Sequence, residues 1–81
     1  MAERFIIFGR SSCSFCIQAA DYCSAKGVDY CFADYASRPE ILEDYKLFYN
    51  QKTVPIILAN DKSTGLVKKV GGYTDLLDYL K

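Results

Sequence analysis

Cys13 and Cys16 stand three residues apart in Cys13-Ser14-Phe15-Cys16, directly after the apolar run Phe5-Ile6-Ile7-Phe8 and directly before a segment with helical patterning. Residues at i and i+3 on a helix are neighbours, so the two sulfurs can close a small disulfide ring. A thiol at a helix start also meets backbone N–H groups without intrahelical partners and the positive end of the helix dipole. Both favour the thiolate. The pattern suits Cys13 to attack other disulfides and Cys16 to resolve the product.

Composition narrows the competing chemistry. The 81 residues include four cysteines and no histidine. Cys–His nucleophilic catalysis is therefore excluded. A zinc site would need all four cysteines, and Cys23 and Cys31 lack the close pairing such sites show. A disulfide scaffold is disfavoured, because no secretory signal accompanies the cysteines and 51% of the residues are hydrophobic, enough to build a core. Ten basic and ten acidic residues give zero net charge, which argues against a nucleic-acid or membrane-surface partner. No apolar run reaches membrane-spanning length, and Met1-Ala2-Glu3-Arg4 leads into a strand rather than a signal peptide. The expected compartment is the cytosol, and the expected organisation is one small domain over residues 1–81.

Arg4 to Gly9 reads as a buried strand, and Gly9-Arg10-Ser11-Ser12 as the loop that delivers Cys13. The first helix is expected from about Cys13 to Lys26, with Cys16, Ala19, Ala20 and Cys23 on one stripe and Gly27 as its stop. Cys23 reads as a small apolar core residue in preference to a third redox thiol. Val28 to Ala33 forms a second strand, parallel to the first across a right-handed βαβ crossover. It contains Cys31, whose exposure the pattern leaves undecided and which is taken as structural or incidental.

Ser37-Arg38-Pro39-Glu40 has the spacing of a capping box, with Ser37 as N-cap. The helix it opens is expected to run to about Tyr49, with Ile41, Leu42, Tyr45, Phe48 and Tyr49 on its core face. Thr53 to Ala59 is strand-like but contains Pro55, which demands an edge, a bulge or a strand start. A turn over Asn60 to Gly65 and a strand from Leu66 to Val70 complete an antiparallel hairpin. After Gly71-Gly72, a last helix from near Thr74 carries Leu76, Leu77 and Leu80 inward.

A βαβ unit, a helix and a ββα unit, with C-x-x-C opening the first helix, is the plan of the thioredoxin fold. Over essentially its full length the chain resembles a glutaredoxin. The residues that carry the resemblance are Arg10-Ser11-Ser12-Cys13-Ser14-Phe15-Cys16, then Lys52-Thr53-Val54-Pro55, then Gly71-Gly72-Tyr73-Thr74-Asp75. It implies a four-stranded mixed sheet, order 2-1-3-4, flanked by three helices.

The resemblance further implies a glutathione-dependent thiol–disulfide oxidoreductase. Cys13 would be the nucleophile and Cys16 the resolving thiol. The substrates would be protein–glutathione mixed disulfides and protein disulfides such as that of ribonucleotide reductase. The Val54–Pro55 bond would be cis, offering the Val54 backbone to glutathione as to an added strand, with Thr53 and Pro55 beside it. Gly72, Tyr73, Thr74 and Asp75 would hold the γ-glutamyl end, Asp75 accepting from its α-amino group. Arg10 and Lys52 would supply positive charge for the glycyl carboxylate and the Cys13 thiolate, and Phe15 would flank the site.

Three departures from the family pattern stand out. Ser14 replaces a frequent proline, Phe15 replaces a frequent tyrosine, and no glutamine falls near Ile41 and Leu42 on the second helix. In some relatives a serine at the first of these places accompanies a [2Fe–2S] cluster held between two subunits by the first cysteine and glutathione. The alternatives are therefore a cluster-carrying dimer ligated through Cys13, and a redoxin reduced by thioredoxin reductase. The primary reading needs no metal and expects a monomer.

Overall fold

The computed structural model describes residues 3–81. The elements in chain order are β1 (Glu3–Gly9), α1 (Ser14–Lys26), β2 (Asp29–Asp34), α2 (Pro39–Phe48), β3 (Ile56–Asp61), β4 (Val67–Gly71) and α3 (Tyr73–Tyr79). The sheet order is β2-β1-β3-β4. β2 runs parallel to β1, β3 antiparallel to it, and β4 antiparallel to β3. This is the expected thioredoxin-type plan. Among the described residues no helix is long and apolar enough to cross a membrane.

Side chains alternate across the sheet, so β1 serves two layers. Phe5, Ile7 and Gly9 are buried on one face, and their partners Ala59 and Ile57 on β3 share it. Ala19 and Cys23 of α1 and Leu76 of α3 close over them. Cys23 is thus a core residue, as its helical position suggested. On the other face Phe8 stacks on Tyr45 of α2, with ring centroids 4.2 Å apart. Burial of this apolar surface is the main stabilising term for so small a chain.

β3 begins at Ile56, three residues after its expected start at Thr53, because Pro55 stands just before the strand and not inside it. The other strand and helix ends move by a residue or so, and the second strand shows why. Gly27 adopts the left-handed conformation at φ 69°, and the Val28 N–H then bonds the Cys23 carbonyl over 3.2 Å. This is the hydrogen bond of a Schellman cap. Val28 therefore terminates α1, and β2 begins one residue later. Cys31, on that outer strand, is exposed.

Two expectations about the second helix fail. Ser37 is not its N-cap: Arg38 holds that position without a side-chain capping bond. The Arg38 guanidinium takes the Glu40 carboxylate at 2.6 Å, and that carboxylate makes no capping-box return bond. The core face is also narrower than expected. Leu42 is buried and Tyr45 and Tyr49 reach Phe8, but Phe48 is 79% exposed. In α3, Leu76 is buried while Leu77 and Leu80 are only partly so.

Candidate active site

The loop between β1 and α1 is pinned from the end of β2. One Asp34 carboxylate oxygen accepts from the backbone N–H groups of Ser11 and Ala36, each at 3.0 Å. The Tyr35 N–H bonds the Gly9 carbonyl at 2.9 Å. The Ala36 and Ser11 N–H groups hold the Asp34 carboxyl below its ordinary range, so it is charged near neutrality. Sequence patterning did not single out Asp34. A final bond, from the Cys13 N–H to the Arg10 carbonyl at 3.1 Å, closes the turn before the helix.

Cys13 is the N-cap of α1, and its sulfur accepts from the Cys16 backbone N–H over 3.4 Å. The sulfur stands where a serine or aspartate oxygen commonly caps a helix. Burial works against the thiolate and is the largest single influence on it. The Cys16 thiol, the backbone N–H groups of Cys16 and Phe15, and the Arg10 charge together outweigh it and lower the Cys13 thiol from its ordinary 9.0. Cys16 goes the other way. Burial, then its hydrogen bond to Cys13, push it up to about 12. Of the two motif thiols, the partly exposed one is the more acidic.

Gly9 makes the burial of Cys16 possible. A Cβ built on Gly9 would lie 2.5 Å from the Cys16 sulfur and 2.9 Å from its Cβ, closer than real contacts allow. The glycine that ends β1 is therefore also the floor beneath the second cysteine.

Beside the first turn of α1 lies a cleft of about 610 Å³. Phe15 forms one wall, and its ring lies 5.8 Å from that of Tyr73. Thr53, Val54 and Pro55 form another, with a cis Val54–Pro55 bond as expected. Among the described residues, the Val54 N–H and C=O make no backbone hydrogen bond in the sheet or its loops. Gly72, Tyr73, Thr74 and Asp75 supply the third wall. There the Asp75 carboxylate accepts from the Gly72 N–H at 2.9 Å, so one of its oxygens is already occupied. Gly71, at φ 123°, has no room for a side chain against Asp75, whose Cγ would lie 2.8 Å from an added Cβ.

Eight of the ten residues expected to bind a ligand thus line one cleft. Arg10 and Lys52 do not; both are exposed outside its lining. Of the two roles expected of Arg10, its charge still favours the Cys13 thiolate. The cation that does line the cleft is Lys69, whose ammonium donates to the Tyr49 carbonyl at 2.8 Å. Gln51 also lines it, and neither residue was expected there. The glutamine that lines the cleft follows α2 instead of lying on it. Among the described residues, no three of His, Cys, Asp and Glu gather where they could hold a metal ion. Of the two motif cysteines only Cys13 is partly exposed, so one chain brings one accessible sulfur, the number that a cluster shared between two subunits asks of each.

A mixed sheet of this order with an acidic N-cap cysteine and a buried partner defines a thioredoxin-fold protein of the C-x-x-C class. The glutaredoxin family model matches residues 5–64, and the chain belongs to the glutaredoxin family. No curated protein matches the chain. Among solved structures it is similar to a buckwheat glutaredoxin–glutathione complex, at TM-score 0.76 and 16% identity over 94% of this chain and 66% of that one. A wheat glutaredoxin follows at TM-score 0.75 and 23% identity, covering 91% of this chain and 66% of that one. The glutaredoxin-like NrdH-redoxin of Escherichia coli, described as having a thioredoxin-like activity profile, gives TM-score 0.66 and 21% identity over 95% of this chain and 90% of that one. The chain spans just under two thirds of the plant proteins. At these identities the likeness establishes the fold.

Proposed function

We propose that the protein is a glutathione-dependent thiol–disulfide oxidoreductase acting on glutathionylated proteins and protein disulfides. The observation that carries this reading is the cleft walled by Phe15, two residues after Cys13, which the unclaimed Val54 peptide groups share with the start of α3. An extended peptide laid there pairs with Val54 as an added strand would. Thr74 and Asp75 then meet its γ-glutamyl end, and Phe15 and Tyr73 cover its middle. A reducing compartment such as the cytosol suits the chemistry.

In the first step the Cys13 thiolate attacks the glutathione sulfur of a protein–glutathione disulfide. A Cys13–glutathione disulfide forms and the protein leaves as a thiolate. A second glutathione thiolate then attacks the glutathionyl sulfur, releasing Cys13 as thiolate and oxidised glutathione. Alternatively Cys16 attacks the Cys13 sulfur and expels glutathione, and two further glutathiones reduce the resulting ring. Two of the influences that hold Cys16 near 12, its hydrogen bond to Cys13 and the Cys13 charge, vanish once Cys13 is in a disulfide. The resolving thiol therefore becomes more acidic only after the first step.

A second reading is favoured by one observation: Arg10 and Lys52, the cations expected for glutathione, lie outside the cleft lining. A redoxin reduced by thioredoxin reductase needs neither. Turnover of a glutathionylated peptide with glutathione and glutathione reductase, compared with turnover through thioredoxin reductase, decides between them. Faster reduction in the first assay supports glutathione dependence, and activity in the second assay alone replaces it.

A further inference from the structure

Gln51 sits where α2 hands the chain to the cleft. Asn50 takes the left-handed conformation at φ 53°, its N–H bonds the Leu47 carbonyl at 3.3 Å, and the Gln51 N–H bonds the Lys46 carbonyl at 2.9 Å. This pair of bonds is a Schellman cap with asparagine in the place glycine usually takes. Its product is a fixed Gln51 backbone. The side-chain amide then reaches forward, and its nitrogen donates to the carbonyls of Thr53 and of Pro55, each at 2.8 Å. Both partners are carbonyl oxygens, so only the NH₂ end of the amide can serve them, and both of its hydrogens are used. The same nitrogen comes within 3.9 Å of where a Cβ on Gly72 would lie.

The two carbonyls bracket Val54. With both held by one planar donor, the peptide groups between them cannot turn independently, and neither carbonyl competes with Val54 for an incoming strand.

We propose that Gln51 is the positioning residue of this site, a bridge that fixes the Thr53–Pro55 segment so that Val54 presents its backbone to an extended disulfide substrate. The inference rests on the reading that such a substrate pairs with Val54. It assigns Gln51 a role in substrate affinity and none in the acidity of Cys13. Both amide hydrogens go to carbonyl oxygens, so its effect is through hydrogen bonds.

The test uses the full chain with Gln51→Glu, which keeps the shape but, ionised, has no hydrogen to donate, and Gln51→Ala, which removes the bridge. The substrate is whichever disulfide the wild type turns over, a glutathionylated peptide or an unmodified peptide disulfide, so failure of glutathione dependence is seen separately in the wild type. KM is expected to rise on the order of tenfold, the effect of losing two neutral hydrogen bonds. In Gln51→Ala, which adds no charge, neither kcat nor the pH profile of Cys13 alkylation should move. An unchanged KM in both variants, or a displaced alkylation profile in Gln51→Ala, overturns the proposal. If the variants do not fold, through-hydrogen-bond NMR couplings in the wild type answer instead. Couplings from the Gln51 side-chain nitrogen to the carbonyls of Thr53 and Pro55 support the bridge, and their absence overturns it.

Discussion

A Cβ added to Gly9 would sit 2.5 Å from the Cys16 sulfur: the end of the central strand and the second cysteine occupy adjoining space with nothing to spare. Gly9→Ala should therefore destabilise the reduced protein by about 1–3 kcal/mol, the usual cost of forcing atoms into a filled core. Combined with Cys16→Ala the loss should be less than the sum of the two single losses, because the larger clash is with the sulfur. Chemical denaturation of the four proteins in the cycle measures this.

The two motif cysteines should separate by reaction. Cys13→Ser is expected to abolish all activity. Cys16→Ser should keep deglutathionylation and lose the reduction of protein disulfides that needs an internal ring. Steady-state assays with a glutathionylated peptide and with a protein disulfide check the division, and equal loss in both variants for both substrates contradicts it.

The acidities also predict a pH dependence. Cys13 should be alkylated with a midpoint below 9.0, while Cys16, near 12, stays unreactive across the physiological range. For stability the signs differ. The lowered Cys13 contributes stability that is complete above 9.0 and is lost as the pH falls through its folded value. Cys16 at about 12 and Cys23, pushed up by burial to about 11, contribute stability that is complete below 9.0 and is lost as pH rises through those values. The Cys13 contribution does not change above 9.0, so the two raised thiols predict that the reduced protein weakens between pH 9 and 12. Equilibrium unfolding across that range tests it, and Cys23→Ala should soften the decline.

Cys23 should prove dispensable for chemistry. It is fully buried among Phe5, Ala19 and Leu76, away from the cleft. Cys23→Ala is expected to keep full turnover, whereas Cys23→Ser should cost about 1–3 kcal/mol if its hydroxyl finds no partner there. Thermal unfolding alongside the disulfide assay separates the two effects.

The narrow face of α2 gives a contrast within one helix. Leu42→Ala should destabilise by about 2–5 kcal/mol, as buried leucines do. Phe48→Lys, at a position 79% exposed, should stay within about 0.5 kcal/mol of wild type. Comparable losses at both positions would show that Phe48 is covered in solution.

The order of elements and the pair Cys13 and Cys16 were legible because each rests on local pattern: period-two and helical apolar spacing, glycine stops, and a three-residue cysteine interval. The strand order of the sheet rests on long-range pairing, and only the resemblance to the glutaredoxin pattern implied it. What escaped depended on partners distant in sequence or on competition. Ser37 and Glu40 have the right spacing for a capping box, but Arg38 takes the carboxylate first. Gln51 gives no sequence signal, since its partners are main-chain carbonyls gathered by the turn into Pro55. Its one available hint was its place between a helix end and that proline. Lys52 was expected at the site because it adjoins Thr53-Val54-Pro55, yet it is the hairpin that brings a different cation, Lys69, to the cleft.

The pairing of Phe8 with Ile56 joins the last side chain before the Gly9 turn to the first residue after Pro55. Sliding β3 by one residue along β1 would turn Ile57 and Ala59 out of the core, and the same slide would carry Val54 out of step with Cys13. Misalignment of these two strands therefore cannot yield a sound scaffold with a faulty catalyst, or the reverse. Selection for either one polices the other.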